Sequence, residues 1–165
     1  MPKYDVVVAD TGPLISLEKL ARFDLLREVC STLLVPRAVL EELSRPDPES
    51  DYLKVSGIAD VVECQVVDQA EFERLQDLHY GERYALALAI ERQCPLIVED
   101  QRARRRATAE GVRFFGAAAA IKINVDGGAI DAGEAIGLLQ QLYAKRRINE
   151  GVLEAMVAAL IPRSS

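Results

Sequence analysis

Asp5-Val6-Val7-Val8-Ala9-Asp10-Thr11-Gly12-Pro13, residues 5–13, is an aliphatic run that stops abruptly at an acid and a turn. Three successive valines favour extended backbone because their branched Cβ atoms restrict χ1, and an unbroken apolar run suits a strand covered on both faces. Pro13 is well placed in the first turn of a helix, and Leu14, Ile15, Leu17, Leu20 and Ala21 then recur at helical spacing. A buried strand that turns straight into a helix is the repeating unit of a parallel sheet.

Further along, the same alternation repeats. A short helix from Asp24 to about Cys30 precedes the strand Thr32-Leu33-Leu34-Val35, and Pro36 stands in the first turn of a helix with Val39, Leu40 and Leu43 on its apolar stripe. Arg45-Pro46-Asp47-Pro48-Glu49-Ser50 ends that helix, near Ser44. Val61 to Val67 is the next strand, and Asp68 with Glu71 makes a capping-box pattern for a helix through about Leu78. His79-Tyr80-Gly81 breaks it. From Glu82, the residues Ala85, Leu86, Leu88, Ala89 and Ile90 mark a helix apolar around much of its circumference, closed by Cys94-Pro95. Leu96-Ile97-Val98 is a short buried strand, followed by a helix to about Glu110, a Gly111 stop and the strand Val112 to Phe115. Two amphipathic helices finish the chain, from Asp131 (with Glu134 as a second capping pair) to about Arg147 and from Asn149 to about Ile161.

Parallel strands need right-handed crossovers, so this order predicts an α/β fold: a three-layer α/β/α sandwich around a central parallel sheet of about five strands. Residues 1–165 are expected to form one domain, with the core over 1–120 and extra C-terminal helices over 121–165. With no Trp and few aromatic residues, Leu, Val, Ile and Ala must fill the interior.

Net charge of −6 argues against nucleic acid on average, because phosphate binding draws on Lys and Arg. The positive charge is clustered, however, at Arg102, Arg104, Arg105 and Arg106 and at Lys145, Arg146 and Arg147, so basic surface can stand beside an acidic pocket. Cys30, Cys64 and Cys94 are odd in number and widely spaced, which points to a reducing compartment rather than to disulfides or zinc. With no signal-like or membrane-spanning run in view, the expected location is the cytoplasm.

Asp10 and Asp100 each follow an aliphatic run directly and so sit at the carboxyl ends of strands, where open parallel sheets bind ligands. Either acid alone also reads as a solvated turn residue or a helix cap. If the two strands are neighbours, the carboxylates converge and repel, and a divalent cation relieves the repulsion. Oxygen-only donors favour Mg²⁺ or Mn²⁺ over zinc. His79, at a helix end beside Gly81, reads as structural. A phosphatase would want a second Asp where Gly12 stands, and a receiver domain would want paired early acids and a late Lys.

The motifs taken together resemble the PIN-domain nucleases. Val8-Ala9-Asp10-Thr11-Gly12-Pro13-Leu14-Ile15 is similar to the opening of the branch with Thr-Gly-Pro-Leu after its first acid. Val35-Pro36-Arg37-Ala38-Val39-Leu40-Glu41-Glu42-Leu43 resembles its second acidic helix, and Gly81-Glu82-Arg83-Tyr84-Ala85-Leu86-Ala87-Leu88-Ala89 its third acidic site. In Leu96-Ile97-Val98-Glu99-Asp100, Glu99 stands where the branch typically has the first of two Asp residues, and a basic helix follows. The resemblance covers roughly residues 5 to 120.

It implies that Asp10, Glu42, Glu82 and Asp100 are catalytic and hold one or two Mg²⁺ or Mn²⁺ ions, with Thr11 as a supporting hydroxyl. Glu41 remains an alternative to Glu42, and Glu99 to Asp100. Arg102, Arg105 and Arg106 share about one third of the following helix and are the expected phosphate contacts, whereas Arg104 points toward Ala103 and Ala107 and is expected to be partly buried. The implied activity is a metal-dependent endoribonuclease acting on RNA, the toxin of a toxin–antitoxin pair with a protein antitoxin as partner; the alternative is a catalytically weak PIN-like protein that binds RNA or a partner. Apolar stripes on the late helices add the expectation of a homodimer.

Overall fold

The computed structural model describes residues 1–43, 62–65 and 67–162. Five parallel strands, β1 (Tyr4–Ala9), β2 (Cys30–Pro36), β3 (Val62–Gln65), β4 (Leu96–Ile97) and β5 (Phe114–Phe115), form one sheet in the order β3-β2-β1-β4-β5. Nine helices lie between and after them among the described residues: α1 (Thr11–Lys19), α2 (Leu26–Val29), α3 (Arg37–Leu43), α4 (Gln69–Arg74), α5 (Tyr80–Arg92), α6 (Gln101–Ala109), α7 (Ala117–Asp126), α8 (Ala132–Ala144) and α9 (Glu150–Leu160). The turn expected at Arg45 to Ser50, Ser44 and the two ends of the strand expected over Val61 to Val67 fall outside the described residues or at their margin.

Side chains alternate across each strand, as the two-residue repeat of extended chain requires. Val7 and Ala9 of β1, Leu33 and Val35 of β2 and Ile97 of β4 face one layer, built by α1, α2, α3, α7, α8 and one side of α9. Val8, Leu34, Leu96 and Val98 face the other, built by α4, α5 and α6. All these strand residues are buried, which is why the runs carry no polar alternation. The three-layer α/β/α sandwich is thus the observed architecture.

The sheet grows from β1 outward to β2 and β3 and then reverses to β4 and β5 on the other side of β1. Strand order therefore switches between β1 and β4, where crossover helices leave on opposite faces and a crevice opens beyond the strand ends. Val8 and Ala9 pair with Leu96 and Ile97, and the ladder continues one step further, with the Asp10 N–H donating to Ile97 O at 3.0 Å. That bond fixes Asp10 against the exit of β4.

Several local readings change: α4 stops at Arg74 rather than near Leu78, β5 narrows to Phe114–Phe115, and three differences are larger. Pro36 closes β2, paired with Gln65, and α3 begins only at Arg37. Tyr80 and Gly81 belong to α5, which His79 precedes in extended conformation as its N-cap residue. Helix α7, with Ala117 to Ala120 in its first turn, was not expected: an alanine run offers no contrast between a polar and an apolar face, so hydrophobic periodicity is blind to it. It is nevertheless central, with Ala120 and Ile121 fully buried and the Asn124 amide donating to Leu25 O and Ala120 O, both at 2.8 Å.

Candidate functional site

Four elements bring acids to the switch-point crevice. Asp10 ends β1, Asp100 follows β4 and caps α6, Glu42 comes from α3 and Glu82 from the first turn of α5. Each of the other three raises the pKa of Asp10, and Asp100 and Glu42 raise that of Glu82, so the four carboxylates share one electrostatic environment.

Asp10 is only 5% exposed. Burial is the main reason its carboxyl is pushed up to about 7; the Thr11 N–H opposes the rise, and Glu82, Glu42 and Asp100 add to it. Glu82 is half-buried and raised for the same leading reason, with His79 acting in the opposite direction through its charge and its backbone N–H. That N–H bond is the reciprocal half of a capping box, with His79 at the N-cap and Glu82 three residues on. The Oε2 atom of Glu82 is buried with no hydrogen-bond partner.

Glu42 accepts a hydrogen bond from Thr11 Oγ1 at 2.6 Å, so Thr11 ties the start of α1 to α3. Asp100 Oδ1 accepts the Ala103 N–H at 2.9 Å as the cap of α6. Glu41 is exposed on α3 and has no part in the Asp10 environment, which leaves Glu42 as the acid α3 presents there.

Glu99, the alternative to Asp100, is engaged elsewhere. Its Oε1 accepts from Ser16 Oγ at 2.7 Å, and Ser16 Oγ in turn accepts from Arg147 Nε at 2.9 Å. Arg147 also donates Nη2 to Gly12 O at 3.0 Å, so a C-terminal residue braces the Asp10-Thr11-Gly12 turn. Ser16 and Arg147 were not singled out in the sequence. A fully buried serine has no sequence signature, and Arg147 was visible only as part of a basic cluster.

The basic helix divides its arginines. Arg104 is half-buried as expected, donating Nε to Val98 O at 2.9 Å and lying over the Phe114 ring at 5.4 Å. Burial lowers its pKa, and Glu99 counters this. Arg102 and Arg105 are exposed. Arg106 is paired with Glu110 at 3.3 Å and lies 3.9 Å from Asp77, so of the three expected phosphate contacts it is the one neutralised by acids among the described residues.

The donor set suits a hard divalent cation: oxygen-only, mutually repelling, and with one buried orphan oxygen in Glu82 Oε2. Among the described residues no group of three or more acidic, His or Cys side chains is drawn together closely enough to hold an ion as it stands. Glu42 and Asp100 each have one oxygen engaged by Thr11 and Ala103, and the fit is therefore one of chemistry and position rather than of closed coordination.

No helix among the described residues is long and apolar enough to cross a membrane. No curated protein matches the chain. The family model described as PIN domain (DUF3368) matches residues 6–160, nearly the whole length, and the chain belongs to that family.

Proposed function

We propose that the protein is a metal-dependent endoribonuclease that hydrolyses RNA phosphodiester bonds. PIN domains are generally nucleases and typically bind divalent metals. The observation that carries the reading is the shared environment of Asp10, Glu42, Glu82 and Asp100, in which a buried Asp10 is held up to about 7 and Glu82 keeps an unpaired buried oxygen. Burying carboxylates and crowding them together in this way is costly for stability, and a cation relieves both.

Asp10, Glu42, Glu82 and Asp100 would hold one or two Mg²⁺ or Mn²⁺ ions, which supply Lewis-acid activation of the scissile phosphate and of the attacking water. Asp10 is fixed by the β1 to β4 ladder and provides the rigid ligand. Thr11 orients Glu42 through its hydroxyl, leaving Oε1 for the cation. Asp100 keeps Oδ2 for the same purpose while Oδ1 caps α6. Arg102 and Arg105, exposed on α6 beyond Asp100, bind the phosphates of the strand and hold it across the acids.

The reading extends to the toxin half of a toxin–antitoxin pair with a protein antitoxin, an extension supported by the resemblance of the motifs, and to a homodimer, supported by the exposed Ile161 at the end of α9. Cleavage of single-stranded RNA in Mn²⁺ or Mg²⁺, with EDTA and Glu82→Gln as controls, tests the activity. Activity that survives both controls overturns it, and cation-dependent RNA binding without cleavage leaves the weak-enzyme alternative.

A further inference from the structure

A cavity of about 350 Å³ opens beside the acidic crevice, between the ends of β4 and β5, the start of α7 and the turn that joins α8 to α9. This is within the usual range for small-ligand sites, roughly 300–1,000 Å³. Its lining combines two chemistries: the guanidinium groups of Arg104 and Arg147, and the apolar side chains of Val152 and Met156 of α9.

The cationic part of the lining has charge to spare. Arg104 and Arg147 spend hydrogen bonds on neutral oxygens, namely Val98 O, Ser16 Oγ and Gly12 O, and neither makes an ion pair within 4 Å among the described residues. The single acid on the lining, Glu99, faces Ser16. Two guanidinium groups against one carboxylate leave this cavity positive in a chain whose net charge is −6.

The cavity floor is the start of α7. Gly116 is its N-cap residue and offers no side chain, and Gly116, Ala117 and Ala118 are buried. A Cβ at position 116 would fall 2.6 Å from Arg104 Nη2, so glycine lets the guanidinium lie directly on the helix start. Backbone N–H groups there add to the attraction that the two arginines exert on an anion.

We propose that this cavity binds a nucleoside monophosphate unit, with its phosphate between Arg104 and Arg147 and its base against Val152 and Met156. An anion alone would leave the apolar side chains unused, and an apolar ligand alone would leave two cations unpaired. A phosphate carrying a flat heterocycle satisfies both chemistries. On the nuclease reading, on which this last link rests, the unit is a nucleotide of the RNA strand next to the cleaved bond, because Ser16 joins Glu99 and Arg147 directly behind the Asp10 turn.

The test is calorimetric titration of the full-length protein with AMP and with inorganic phosphate, in EDTA and low salt. Val152→Glu and Val152→Lys are compared; Val152 is 38% exposed at the cavity rim, so both variants should fold. AMP should bind more tightly than phosphate, and Val152→Glu should weaken AMP by roughly tenfold and by more than Val152→Lys, because both remove the apolar contact and only the glutamate adds a negative charge beside the phosphate. Equal affinity for AMP and phosphate, equal behaviour of the two variants, or no AMP binding overturns the proposal. A protein that binds AMP in this way but leaves RNA uncut keeps the cavity and retires the nuclease; one that cuts RNA without these contrasts does the reverse.

Discussion

The carboxylate of Glu42 occupies the space that a side chain at position 81 would need: a Cβ on Gly81 would fall 2.5 Å from Glu42 Oε1 and 3.0 Å from its Cδ. The Glu42 carboxylate therefore lies directly against α5 at the glycine that precedes Glu82. The backbone φ of Gly81 is not in the left-handed region, so space and not conformation is the constraint.

Gly81→Ala should consequently separate function from stability. Alanine is the better helix former by about 1 kcal/mol, which offsets part of the strain of displacing Glu42. The carboxylate must move, and its bond from Thr11 goes with it. Mn²⁺ affinity and RNA cleavage are expected to fall by roughly tenfold or more, in keeping with the loss of one ligand's positioning, while the melting midpoint moves by only a few degrees. Unchanged Mn²⁺ affinity in this variant removes Glu42 from the site.

Asp10→Asn should abolish cleavage and stabilise the protein. The Asp10 carboxyl titrates near its ordinary value, 3.8, when unfolded and at about 7 when folded. Between these values the folded state holds the extra proton, so its contribution to stability declines as pH rises from about 4 to 7 and stays low above that. Asparagine is neutral throughout. In EDTA at pH 8 the variant should therefore be more stable by roughly 1–4 kcal/mol, with the advantage vanishing near pH 4. Thermal melts at the two pH values check this, and an advantage of the same size at both contradicts it. The same proton competes with cations, so Mn²⁺ affinity of the wild-type protein should rise with pH through about 7.

On α6, Arg102→Ala and Arg105→Ala should each weaken RNA binding and lower the salt slope by roughly one unit. Arg106→Ala should leave that slope unchanged and instead cost about 1 kcal/mol or less of stability, because its charge is already spent on Glu110. Binding isotherms at three salt concentrations distinguish the cases. A slope that drops only in Arg106→Ala would reverse the assignment.

The parts of the molecule that were legible in advance share a physical cause. Val6-Val7-Val8 and Leu96-Ile97-Val98 are apolar without alternation because both faces of those strands are covered, and the acid that follows each run is thereby located at a strand end. The caps at Asp68 and Asp131 were equally readable, and their side chains accept the Ala70 and Glu134 N–H groups, both at 2.8 Å. What escaped depends on contacts between distant residues. The link from Arg147 to Ser16 spans 131 positions, and α7 is built of alanines whose burial only tertiary packing decides. The basic stretch was recognised as a helix, but which of its arginines would be neutralised depended on Glu110 and Asp77, neither of which its own periodicity reveals.

Assembly is the last expectation open to measurement. Helix α9 carries the apolar positions Val152, Leu153, Met156, Val157 and Leu160, and Ile161 follows it; Leu153, Met156 and Val157 pack partly against the core, Leu160 is buried, and Val152 and Ile161 are 38% and 55% exposed. Ile161, just past the end of α9, is more than half exposed, and a partner would remove it from water. A two-fold axis beside Ile161 would cover it with the same residue of a second copy, since such an interface is self-complementary. The chain's net charge opposes association, so a dimer must rest on this apolar contact and should resist added salt. Light scattering at micromolar concentration should therefore give a dimer in both low and high salt. Ile161→Asp, at an exposed position where the monomer fold is indifferent, should shift the species to monomer by weakening the dimer roughly tenfold or more. A wild-type monomer at these concentrations, or an Ile161→Asp protein that stays dimeric, takes α9 out of the interface.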